Sequence, residues 1–98
     1  MREDLPLGVL ASQLTHAAGE TGPANPGTHA VVLSAKNKDH LLKIERQLIA
    51  HKIKHHSVRE PDLPWNGEIM AIGLYPTSDR ASVKPVTKRL KLLGGKNE

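Results

Sequence analysis

Two groups of polar residues in this chain have the types and spacing to do chemistry. The first is the stretch Arg59-Glu60-Pro61-Asp62-Leu63-Pro64-Trp65-Asn66-Gly67, which sets two carboxylates in a loop locked by two prolines. Pro61 and Pro64 fix φ and bias Glu60 and Leu63 toward extended backbone, so the loop has few shapes. Asn66-Gly67 is a strong turn signal. The second group is Gln13 and His16, which share neighbouring faces of the helix expected there. An imidazole moves protons near neutral pH, and a carboxylate can orient it or position a water. The plainer alternatives are a hairpin turn with solvated carboxylates and a helix histidine that merely packs.

The elements that must hold these groups follow from the pattern of apolar residues. The run Glu68-Ile69-Met70-Ala71-Ile72-Gly73-Leu74-Tyr75 is apolar on both faces, as in a strand buried inside a sheet. Residues 7–18 predict a helix, with Pro6 in a first-turn position, Asp4 at the positive end and Gly19 as the left-handed stop. Leu7, Leu10, Leu14 and Ala18 fall on one face, and Ala17, Ala18 and Gly19 leave room for another backbone. Residues 20–28 form a loop, and 29–35 a strand with a β-branched centre. Asn37 caps a helix over about 38–51, whose stripe is Leu41, Ile44 and Leu48 with Leu42 and Ile49 beside it. Residues 53–59 make a more polar strand, suited to an edge. Val83, Val86, Leu90 and Leu93 predict a closing helix, regular from about Pro85, with 78–84 a looser turn and Gly94-Gly95 as the stop. Helix, strand, helix, strand, strand, helix is an α/β order.

Composition narrows the class. Ninety-eight residues allow one domain, 1–98, burying roughly 60–65% of the unfolded surface. The core must be aliphatic, since there is no Phe, one Trp and one Tyr. The absence of Cys excludes disulfides, thiolate metal sites and a cysteine nucleophile. The charged N-terminus lacks the apolar region of a signal peptide, and no run is long enough to span a membrane. A soluble, cytoplasmic protein is expected.

The net charge of +4 is unevenly placed. Residues 36–59 carry seven Lys/Arg and four His against Asp39 and Glu45, and residues 80–96 carry six Lys/Arg and no acid. A polyanionic partner is expected, with nucleic acid leading and a solvated lysine-rich helix face as the plain alternative. The residues assigned to RNA are Lys36, Lys38, Lys43, Arg46, Arg59, Lys88 and Arg89. Trp65 joins them as a stacking platform for a terminal base, or else caps the small core. His51, His55 and His56 give no fixed ligand framework, because adjacent strand residues point to opposite faces, so no metal site is assigned.

Several of these stretches carry a resemblance. Arg2-Glu-Asp-Leu-Pro-Leu-Gly8, then Ala11-Ser-Gln13-Leu-Thr-His16-Ala17-Ala18, resembles the signature that opens type II peptidyl-tRNA hydrolases. Val31-Val32-Leu33-Ser34 and Arg59-Glu60-Pro61-Asp62 before an apolar strand look like its bacterial branch, and Lys91-Leu92-Leu93 like its usual ending. The similarity covers residues 2–93. It implies a three-layer α/β/α sandwich around a small mixed sheet of three to four strands. The implied reaction is hydrolysis of the ester joining a nascent peptide to the 3′ end of tRNA, without metal or organic cofactor. The catalytic residues it implies are Gln13, His16 and Asp62, with tRNA or peptidyl-tRNA as partner. Such hydrolysis needs an activated water, donors for the oxyanion and a proton for the leaving ribose hydroxyl. His16 would move the protons, Asp62 would orient it or place the water, and the Gln13 amide would donate to the oxyanion. Glu60 reads as a structural partner for Arg59 or Arg2.

The chain departs from that pattern in three places. Val9 stands where the family has a lysine, and Met70 where a threonine is common. A catalytically impaired RNA-binding relative is therefore the alternative reading. The strand that opens the family is also missing, which would leave a gap in the sheet. A start upstream of Met1 is the favoured explanation, then a homodimer paired at the open edge, then residues 1–4 filling the gap themselves. An open edge would equally suit a protein-interaction module.

Overall fold

The computed structural model describes residues 1–22, 31–77 and 79–94, which form a small mixed α/β domain. Its elements are α1 (Leu7–Glu20), α2 (Lys38–Ala50), β1 (His55–Glu60), β2 (Glu68–Leu74) and α3 (Arg80–Thr87). Residues 23–30, Ser78 and Gly95, on which parts of the expected loop, strand and helix stop fall, lie outside the described residues.

β1 and β2 pair as an antiparallel hairpin, the plainer of the readings of the acidic loop. Asn66 (φ 49°) and Gly67 (φ 89°) both adopt the left-handed backbone that tight turns require. Gly67 N–H closes the turn on the Glu60 carbonyl at 2.7 Å. His55 lies opposite Leu74 and Val58 opposite Ala71, but Arg59 lies opposite Ile69, so Met70 is an extra residue at a β-bulge. The bulge puts Met70 beside Ala71 and Val58 in one apolar cluster with Ala17 of α1. Ile69 joins a second cluster with Leu41, Ile44 and Leu48 of α2 and Val86 of α3.

Among the described residues the sheet is smaller than the expected three to four strands, with only two regular ones. Beyond them are two isolated bridges, Arg2 to Ala35 (parallel) and Leu33 to Leu92 (antiparallel). Pairing stops short because the chain bends at residues 3–5 to enter α1. Arg2 N–H donates to the Met70 carbonyl at 3.3 Å, and Glu3 N–H to Ala35 at 2.8 Å. Residues 1–3 thus bond to both β2 and residue 35.

α1 is rotated from its expected orientation. Leu7 is 80% exposed, while Gln13 and Ala17 are buried and Val9, Leu10 and Leu14 pack at the margin. Gln13 takes a core position, where its amide meets the carboxylate of Glu60 at the end of β1. The helix also outruns Gly19, and the left-handed residue is Gly22 (φ 82°). Thr21 ends the helix instead, its hydroxyl donating to the Ala17 and Ala18 carbonyls at 3.1 and 3.2 Å.

α2 follows expectation at its cap and in its stripe, with the Asn37 side chain accepting from His40 N–H and Leu41, Ile44 and Leu48 buried, but Ile49, expected beside that stripe, is 62% exposed. α3 does not. It begins at Arg80, capped by Asp79, and contains Pro85. A helix this short loses only one backbone bond to the proline, so the ring is tolerated. Leu90 and Leu93 lie beyond its end and pack against different clusters, so the expected stripe is not one face.

α1 sits on β2 at Gly73, where an added Cβ would fall 2.7 Å from the Ala17 carbonyl oxygen and 2.5 Å from Thr21 Cγ2. Backbone cannot yield as a side-chain tip can. Gly73→Ala is therefore expected to cost about 1–3 kcal/mol, read as a lower urea midpoint. An unchanged midpoint would mean that α1 is free to slide.

Candidate functional site

The loop after β1 is held by its own backbone. The Asp62 carbonyl accepts from Trp65 and Asn66 N–H, each at 3.0 Å, and the Trp65 carbonyl from Glu68 N–H at 3.1 Å. Glu60, the last residue of β1, reaches two ways. Its Oε2 accepts from the Gln13 amide Nε2 at 2.9 Å, and its Oε1 from the Asp62 backbone N–H at 3.2 Å. The arginines expected as its partners pair elsewhere. Arg59 bonds Glu45 of α2 at 2.8 Å, beside a Ser57 hydroxyl donating to the same carboxylate at 2.6 Å. Alternation along β1 explains the split: Ser57 and Arg59 reach α2, whereas Glu60 reaches α1.

Gln13 is only 7% exposed, held among apolar neighbours by that one carboxylate. His16 lies further along α1, with its side chain 52% exposed and Nε2 at 3.3 Å from Glu20 Oε1. Asp62 is exposed on the loop. Of the sequence-derived trio, then, Gln13 and Asp62 are tied to one carboxylate, while His16 bonds within its own helix. Glu60, expected as a partner for Arg59 or Arg2, is the residue that links Gln13 and Asp62. Its place in the acidic loop was the available signal, but the partner lay in a helix nearly fifty positions away. Val9 packs at the edge of the α1 cluster, and Met70 is fully buried there.

Arg2 anchors the same turn end of the hairpin from the side of β2. Its buried guanidinium donates to both Asp4 oxygens (2.9 and 2.8 Å), to Glu68 Oε1 (2.9 Å) and to the Ile69 carbonyl (3.1 Å). It also lies 5.7 Å from the centroid of the Trp65 ring. Trp65 is half-buried and packs against the α1 cluster.

Among the assigned RNA-binding residues, Lys36, Lys43, Lys88 and Arg89 come together around one cleft between α2 and the chain after α3. Arg46 is exposed and Lys38 half-buried on α2, outside the cleft lining, and Arg59 is engaged by Glu45. No group of three or more His, Cys, Asp or Glu able to hold a metal occurs among the described residues. None of the described helices is long and apolar enough to cross a membrane.

The ion pairs have a pH signature. Hydrogen bonds from Arg2 hold the Asp4 carboxyl below its ordinary value. Burial pushes Glu45 up, but hydrogen bonds from Arg59 and Ser57 outweigh it, so that carboxyl is lowered too. Their stabilisation is therefore present above about pH 4 and lost as pH falls through the native values. The Met1 ammonium, which donates to the Leu33 carbonyl at 3.0 Å, behaves differently: burial lowers it from 8.0 to about 6. Between those values the unfolded chain binds more protons, so stability rises with pH across that window. A urea midpoint followed from acid to alkaline pH is expected to climb in both windows. Acetylating the amine should remove the upper step alone, and a flat profile would contradict both.

The architecture is that of a small α/β domain with a polar site at the turn end of its hairpin and a basic cleft between helices. Comparison with known families then identifies the chain: a family model described as peptidyl-tRNA hydrolase PTH2 matches residues 1–93. The chain belongs to that family, whose activity is hydrolysis of peptidyl-tRNA, a carboxylic ester. No significant match was found among curated proteins or among solved structures.

Proposed function

We propose that the turn end of the hairpin and the adjoining face of α1 form the hydrolytic site, with Gln13, His16 and Asp62 as its working groups. The observation that carries this is Glu60, whose two oxygens hold the Gln13 amide and the Asp62 backbone in one frame. Water attacks the carbonyl carbon of the ester between peptide and ribose. The second Gln13 amide N–H, not used by Glu60, donates to the oxygen that gains charge. His16 Nε2 lies 3.3 Å from Glu20 Oε1, and in the tautomer that carries its proton there Nδ1 is free to take the proton from water. It returns that proton to the ribose oxygen as the C–O bond breaks, and Asp62 places the water.

We also infer the finer architecture. The two apolar clusters, one holding α1 and one holding α2 and α3, support a three-layer arrangement within one domain over 1–98. The bridges at residues 2, 33, 35 and 92 support a wider mixed sheet. Arg59-Glu60-Pro61-Asp62 supports the bacterial-type branch, and with it a cytoplasmic setting.

The test is release of N-blocked amino acid from charged tRNA by the purified protein. Turnover is expected. Binding of tRNA with no release at any enzyme concentration would favour the impaired RNA-binding relative.

A further inference from the structure

The two basic segments, far apart in sequence, meet in space. Between α2 and the chain after α3 lies a cleft of about 520 Å³. One wall carries Lys43 of α2 with Lys36 just before it, and the other carries Lys88, Arg89 and Lys91. Its floor is apolar, from Ile44, Val86 and Leu90, and Glu3 is the only carboxylate among its lining residues. None of these five cations makes an ion pair with a described residue, whereas Arg2 and Arg59 do. All five residues are exposed, so their charge is available to a ligand.

We propose that this cleft is a docking site for the phosphodiester backbone of the RNA body, separate from the site that receives the ester. The proposal deepens the peptidyl-tRNA reading and rests on it for the identity of the RNA. Opposed lysines and an arginine across a groove suit a chain of phosphates that passes between them. The flexible side chains and apolar floor offer no fixed pattern of base-reading groups, so recognition is of backbone and not of sequence. The cleft belongs to the cluster of α2 and α3, whereas the Gln13–Glu60 pair lies on the α1 side. RNA held in the cleft must therefore reach across the domain to present its 3′ end. Binding and chemistry are thereby divided between the two faces of the hairpin.

The experiment compares Lys43→Ala/Arg89→Ala, which removes one cation from each wall, with Lys52→Ala/Arg80→Ala, which removes equal charge outside the cleft. tRNA binding is measured over a salt series. Hydrolysis is measured on full-length peptidyl-tRNA and on a short 3′-terminal fragment bearing the same ester. The cleft variant is expected to bind about tenfold more weakly, with a salt slope shallower by about 1.5. Its preference for the full-length substrate over the fragment should fall by about the same tenfold factor, taken as a ratio of kcat/KM values. Glu3→Gln should shift binding the other way.

Equal effects of the two double variants would overturn the proposal and leave only diffuse charge. So would an acidic polypeptide that displaces tRNA at lower concentration than RNA does, since the cleft would then fit a protein partner. If the cleft variant loses salt-dependent binding but the parent protein hydrolyses neither substrate, docking stands and the hydrolytic assignment falls.

Discussion

Gln13→Ala is expected to lower kcat on peptidyl-tRNA by about 100-fold, with KM changed much less. The amide is buried, already oriented by Glu60 Oε2 at 2.9 Å, and has a second N–H to offer. On the proposed mechanism a donor fixed in advance costs no reorganisation when charge develops on the ester oxygen, so its loss is expected to fall on the chemical step. The substitution also leaves the Glu60 carboxylate without that donor, and some stability goes with it, about 1–3 kcal/mol. Rates must therefore be taken well below the melting temperature. Glu60→Gln separates the two roles. It keeps the volume but no longer attracts the amide with a charge, so kcat should fall by roughly tenfold while the fold persists. If Gln13→Ala raises KM and leaves kcat alone, the amide binds substrate and does not stabilise the transition state.

Arg2→Ala should be the most damaging single change to stability, at about 3 kcal/mol out of a total of roughly 5–15. The guanidinium makes four hydrogen bonds and lies over Trp65 while being only 4% exposed. Removing it strands Asp4 and Glu68, but their side chains are about a third exposed and can take up water. That places the cost at the low end of the range for a broken buried pair. Arg2→Lys tests the geometry. A lysine keeps the charge but cannot engage both Asp4 oxygens in a fork, so about half the loss should remain. A urea midpoint within error of the parent for the alanine variant would show that the cluster contributes nothing net.

The parts of the fold that could be read from sequence are those set by local chemistry. Asn37 announces α2, and its stripe is the stripe that is buried. Asn66-Gly67 announces the hairpin, and the apolar run after it is β2. The misreadings arise where tertiary contact decides. Gln13 takes a buried position beside a carboxylate from β1, and of the expected stripe Leu10 and Leu14 still pack while Leu7 and Ala18 are exposed. Val83, Val86, Leu90 and Leu93 have helical spacing, yet the chain leaves the helix after Thr87 and Leu92 bridges to Leu33. Of the site, the acidic loop and the Gln13–His16 helix were visible as separate pieces. Glu60 as the link between them was not, because side-chain reach across a sheet has no local signature. Nor was the meeting of Lys43 with Arg89, which depends on how α2 and α3 are set side by side.

The extra residue at Met70 gives the hairpin a tolerance to deletion that strands ordinarily lack. Losing one residue from a regular strand turns every later side chain to the opposite face. Here Val58 pairs with Ala71 and Arg59 with Ile69, so the step is already absorbed on one strand. A chain shortened by deletion of Met70 would close into an unbroken ladder with the same partners. Ala71 would still face α1 and Ile69 would still face α2. The cost would be one buried thioether and the carbonyl that receives Arg2 N–H, but not the placement of Glu60 or of the turn. Length at this point in the chain is thus a variable that evolution could adjust independently of the frame that holds the polar site.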